Sequence, residues 1–157
     1  MTGAQYAKLI AQYLAVQYGP QGLSVFQEVS LGKSIIGKNR RVDILALHQP
    51  SARALAVECK FQESQGTVDE KIPYTLADLE AMHVPAIVAY AGTGFSVGVT
   101  HMLQSHRLAA YCLPTQALEP NRETVELDHI VAMTFGWWGL VLGNKSPLVP
   151  EPSATPG

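Results

Sequence analysis

The sequence predicts an α/β sandwich built around a mixed central sheet. Three features carry that expectation. Residues 2–18 repeat their apolar positions with a helical period, three strand-like runs follow in direct succession, and from residue 67 to residue 113 helical and strand-like patterns alternate.

The opening helix spans about Thr2 to Tyr18, with Tyr6, Ile10, Tyr13, Leu14 and Tyr18 recurring on one face, and Gly19-Pro20 ends it. From Leu23 to Leu31 the pattern changes to alternation, and Gly32 to Asn39 reads as a polar loop. Arg41–His48 and Arg53–Phe61 are the second and third strands, joined by the turn residues Gln49-Pro50-Ser51-Ala52. Thr67 and Glu70 have the spacing of a capping box, and Ile72, Leu76, Leu79 and Met82 form the apolar stripe of the helix it opens. Pro73 either kinks that helix or belongs to its first turn. Pro85–Ala91 is a buried strand by composition, Val97–His106 a helix, and Leu108–Leu113 a further strand. Val125–Leu142 reads equally as strand or terminal helix. The expected organisation is one domain over residues 1–145, followed by a Pro-rich tail over 146–157.

The 157 residues suit one compact domain, and 47% hydrophobic against 15% charged residues supply a core and argue against disorder. A net charge of -2 counts against a protein that coats nucleic acid non-specifically, and less against one whose site must itself be acidic. Cys59 and Cys112 lack C-x-x-C spacing, so no disulfide framework or zinc ribbon is expected, and a reducing, cytoplasmic compartment is. The first residues lack the pattern of a signal peptide, and the apolar stretch Ile130–Leu142 is too short to span a bilayer, so no membrane is expected.

The chemistry lies in the second hairpin. A four-residue turn pairs His48 with Arg53, which sets Ile44 against Val57 and Asp43 against Glu58. Alternation then puts Val42, Ile44 and Ala46 on one apolar face with Leu55, Val57 and Cys59. Asp43, Glu58, Lys60 and Gln62 share the other. Opposed carboxylates destabilise a sheet unless something compensates, and a hard divalent cation, magnesium or manganese, does so. Lys60 stands two residues beyond Glu58, beside the ion, where an ammonium orients or activates water and meets charge developing on a phosphate. The Cys59 carbonyl is a further metal ligand that needs nothing from its side chain.

Arg41-Val42-Asp43 followed by Val57-Glu58-Cys59-Lys60 resembles the signature of the PD-(D/E)XK nuclease superfamily. The resemblance covers roughly residues 5–115 and implies a restriction-endonuclease-like α-β-β-β-α-β-α-β core. Gln62 and the run Gly66–Tyr74 are similar to members in which glutamine follows the lysine and a helix opens near the site, which implies that Gln62 assists catalysis. Some members carry a glutamate in the first helix, but this helix has no acid between Thr2 and Gly19. Glu28 falls opposite Asp43 if the first hairpin is regular, and is then the further metal ligand. The implied activity is Mg²⁺-dependent hydrolysis of DNA phosphodiester bonds in a restriction, repair or resolving role. A chain of this size would act as a homodimer or as part of a larger DNA-processing system.

Lys33, Lys38, Arg40 and Arg41 form the densest basic cluster, and with Lys71 they are the candidate contacts to the DNA backbone, against ordinary loop solubility. Tyr74 reads as a phosphate contact or as a core-edge tyrosine. The five histidines are scattered, and none is assigned to metal. Gly92-Thr93-Gly94 lacks the spacing of a phosphate-binding loop and reads as a tight turn. Trp137 and Trp138 read as core or interface residues. The competing functional reading is a non-catalytic nucleic-acid-binding or assembly module that keeps a nuclease-like fold.

Overall fold

A computed structural model of the chain describes residues 1–153, and the last four residues of the Pro-rich tail lie outside the described residues. Helix α1 (Gly3–Tyr18) is opened by Thr2, whose hydroxyl accepts the Gln5 N–H while the Gln5 side chain accepts the Thr2 N–H. Strands β1 (Leu23–Lys33), β2 (Asn39–His48) and β3 (Arg53–Phe61) follow. Helix α2 (Val68–Glu80), strand β4 (Ala86–Ala91), helix α3 (Val97–Ser105) and strand β5 (Ala109–Tyr111) complete the alternating part. The stretch that sequence left open is helical, as α4 (Val125–Phe135) and the short α5 (Gly139–Leu142). The predicted order of helices and strands is the observed one.

The sheet runs β1-β2-β3-β4-β5, antiparallel across β1-β2-β3 and parallel across β3-β4-β5. Its central strands β3 and β4 are buried on both faces. One face packs Ile44, Ala46, Leu55, Val57 and Cys59 against α1 and α4. The other packs Ala56, Val88 and Tyr90 against α2 and α3, through Ile72, Leu76, Leu79 and Leu103. Helices α1 and α4 are tied together by Asp128, whose carboxylate accepts the hydroxyls of Tyr13, Tyr18 and Thr124.

The register predicted from the turn, Ile44 with Val57 and His48 with Arg53, is the observed one. The expectation that Val42 shares a face with Ile44 and Ala46 is corrected. Val42 packs in the α2 cluster, as do Val29 and Leu31 of β1, whereas Leu23 and Val25 pack on the α1 side. Residues of one parity thus change faces along the β1–β2 hairpin, because the ribbon rolls where Glu28 takes a left-handed φ of 54°. The capping box predicted at Thr67 and Glu70 is also corrected: Thr67 precedes α2 without a side-chain cap. Asp69, in the first turn, instead accepts the Ser96 N–H at 3.2 Å and so links α2 to the start of α3. Pro73 lies inside α2. No helix among the described residues is long and apolar enough to cross a membrane.

The turn at Gly92–Gly94 closes on the segment that follows β3. A Cβ at Gly92 would stand 2.2 Å from the Gln62 carbonyl oxygen, and its φ of +106° is open to glycine almost alone. Gly92→Ala should therefore cost at least about 2 kcal/mol, read as a lowered urea midpoint at unchanged slope. Gly98→Ala, where a Cβ meets nothing within 4 Å, should cost no stability.

Candidate active site

The β2–β3 ladder stops at Ile44 and Val57. Beyond it, β2 pairs only with β1, and Glu58–Phe61 pair only with β4. The two central strands diverge there, and Asp43 and Glu58 stand at the fork. In β3 the N–H groups of Ala56 and Gln62 point to β4, bonding Pro85 and Ala91. By alternation the N–H and carbonyl of Cys59 point toward β2. The Asp43 carboxylate meets that N–H at 2.8 Å through Oδ2, replacing the missing ladder bond with a side chain. The Cys59 carbonyl, by the same alternation, faces the fork.

A cleft of about 400 Å³ opens over this point, lined by Gln27, Glu28, Asp43, Glu58 and Lys60, with Gly3, Ala4 and Ala7 of α1 as its far wall. The small α1 residues leave the cleft open where a longer side chain would close it. Glu28 sits between the paired residues Gln27–Ile44 and Val29–Val42, level with Asp43 but outside the ladder. Its left-handed backbone turns it out of the strand pattern, and the side chain lines the same cleft. A non-glycine residue held in that region costs on the order of 1 kcal/mol, a strain that clusters at functional sites.

Burial, and then repulsion from the neighbouring Asp43 carboxylate, push Glu58 up to about 8, with Lys60 pulling the other way. One lysine thus falls short of neutralising the pair. Two carboxylates and a backbone carbonyl make an oxygen donor set that suits a hard divalent cation. Among the described residues no three acidic, histidine or cysteine side chains form a ready-made cage. Magnesium asks for less, since it commonly binds through one or two carboxylates and keeps several waters. The Cys59 thiol is buried in the core, so only its backbone belongs to the site.

Two expected site residues are placed elsewhere. Gln62 is buried, and its side-chain amide donates to the Gly94 carbonyl at 2.8 Å, fastening the Gly92–Gly94 turn rather than lining the cleft. Arg40 is buried too. Its Nη2 and Nε donate to the two Asp78 oxygens at 2.8 and 3.1 Å, which holds the Arg40 guanidinium firmly charged and the Asp78 carboxyl below its usual range. A guanidinium spent on α2 is withdrawn from phosphate. Lys33 hydrogen-bonds Asn39 across the hairpin and is exposed. Lys38, Arg41 and Lys71 are exposed and border a second cleft beside Glu58 and Lys60.

A five-stranded mixed sheet flanked by helices, with its first helix leading into the antiparallel hairpins, is a restriction-endonuclease-like fold. The chain matches the PD-(D/E)XK nuclease superfamily domain over residues 2–138, and it belongs to that superfamily. No curated protein matches it in sequence.

In the metal-free protein Glu58 ionises near 4.5 when unfolded and about 8 when folded. Its contribution to stability is present in full below the lower value and is lost as pH rises through the upper one. Melting temperatures measured in chelator should therefore fall between pH 4.5 and 8 more steeply for the parent than for Glu58→Gln. Parallel profiles would remove the electrostatic reading of this pair.

Proposed function

We propose that the protein is a metal-dependent nuclease that hydrolyses DNA phosphodiester bonds. The observation that carries this is the fork itself: Asp43 and Glu58 converge where β2 leaves β3, and Lys60 lines the same cleft. Superfamily membership supports a hydrolytic role on nucleic acid.

The Asp43 and Glu58 carboxylates and the Cys59 carbonyl would hold Mg²⁺, or Mn²⁺, and Glu28, which lines the same cleft without completing a three-acid cage, would act through a metal-bound water. The bound cation supplies Lewis acidity toward the phosphate and toward water. The chain's own groups do the rest. Asp43 is held at the fork by the Cys59 N–H. Lys60 orients the attacking water and offsets charge gathering on the phosphate oxygens. Lys38, Arg41 and Lys71 neutralise the flanking backbone. Gln62 would act by positioning, through its hydrogen bond to the turn that backs β3. Cleavage of both strands of a duplex would call for two such centres, as in a homodimer or a larger assembly.

Supercoiled, linear and branched DNA incubated with Mg²⁺ should be nicked by the parent. Lys60→Ala should lower the rate at least about 100-fold and leave the melting temperature near that of the parent. Metal-independent binding with no cleavage of any substrate would instead establish a non-catalytic module.

A further inference from the structure

Glu58 and Lys60 line two clefts, not one. The first is the open site under α1. The second, of about 280 Å³, lies between the tip of the β1–β2 hairpin and α2. On α2 its wall is the stripe Lys71, Tyr74, Thr75 and Asp78, spaced i, i+3, i+4 and i+7, beside the apolar stripe that anchors the helix. On the hairpin its wall is Lys38 and Arg41. Tyr74 is 39% exposed although aromatic, so its ring is only partly covered by the protein.

The two walls are held at a fixed distance. Asp78 accepts both Arg40 donors and also the Ile35 N–H at 3.0 Å, which pins the hairpin tip to α2. That interaction also cancels the one Asp–Arg pair in the cleft. Lys38, Arg41, Lys60 and Lys71 then face Glu58 as the only acid left uncancelled among the lining residues. A narrow, positively charged cleft with one available aromatic ring has the composition of a stacking platform beside a phosphate track. Its volume falls just below the usual span of ligand sites, roughly 300–1,000 Å³, and suits one nucleotide rather than a base pair.

We infer that this second cleft binds an unpaired nucleotide adjoining the scissile phosphate. Its base stacks on Tyr74 and its phosphate meets Lys71 and Arg41. The inference rests on the nuclease reading for the word scissile, but not for binding. It makes DNA with an unpaired segment, rather than continuous duplex, the preferred ligand.

The test is binding by fluorescence anisotropy in chelator, where no turnover occurs. The probes are a dye-labelled single-stranded oligodeoxynucleotide and a blunt hairpin duplex of the same length. The parent should bind the single strand more tightly. Tyr74→Ala should weaken single-strand binding about tenfold and leave duplex binding unchanged, while Tyr74→Phe keeps the parent's affinity. Lys71→Ala should weaken both and lower the salt slope by about one. Equal affinity of parent and Tyr74→Ala for the single strand, or no preference of the parent over duplex, would overturn the subsite. Loss of binding in Tyr74→Ala, with no cleavage by the parent under any condition, would keep the subsite and dismiss the nuclease reading.

Discussion

One hydrogen bond organises the centre of this protein: the Asp43 carboxylate takes the Cys59 N–H that the sheet would otherwise give to a neighbouring strand. A buried backbone donor without a partner costs on the order of 1–3 kcal/mol, so a sheet that ends its ladder must supply a substitute. Using a carboxylate for this puts a negative charge at the fork and fixes its orientation. The same divergence brings Glu58 alongside and leaves β3 without a ladder partner on its β2 side beyond Val57. The fork is therefore at once a solution to a backbone problem and the source of an electrostatic one.

The electrostatic problem has a local answer and an external one. Lys60 supplies a positive charge on the strand that carries Glu58, yet Glu58 still stands well above an ordinary carboxyl group. Further positive charge, from a cation or a proton, relieves the pair. The surrounding fold keeps the arrangement open: small residues of α1 line one side, and the hairpin tip, pinned through Arg40 and Asp78, stands back on the other. Helix α2 serves both purposes, with Ile72, Leu76 and Leu79 in the core and Lys71 and Tyr74 at the cleft.

Much of this was legible in the chain. The turn Gln49–Ala52 sets the register of the central hairpin, and that register brings Asp43 and Glu58 to one place, although the ladder ends at Ile44 and Val57 before pairing them. Local rules sufficed because the residues concerned lie within 16 positions of one another. They failed where partners are remote. Gln62 shows its role only through Gly94, 32 residues on, and Arg40 only through Asp78, 38 residues on. The roll of the hairpin was hidden for a different reason. A left-handed backbone is usually announced by glycine or asparagine, and here it falls on a glutamate. Thr67-x-x-Glu70 fits the capping motif, but Thr67 makes no side-chain cap, and the acid that matters there, Asp69, serves α3 instead. Val125–Leu142 fits either element because it opens on a strand-like alternation, Val125-Glu126-Leu127-Asp128, and from Ile130 its apolar residues are nearly continuous, which leaves no period to separate helix from strand.

A metal centre at the fork would be built on Asp43 and Glu58. Electron paramagnetic resonance titration with Mn²⁺ in the absence of DNA measures this directly, by counting bound ions in the parent and in Asp43→Asn. Saturable binding to the parent, competed by Mg²⁺, is expected, with its loss in Asp43→Asn while circular dichroism shows the fold retained. Equal Mn²⁺ binding by both proteins, or none by the parent, would contradict it.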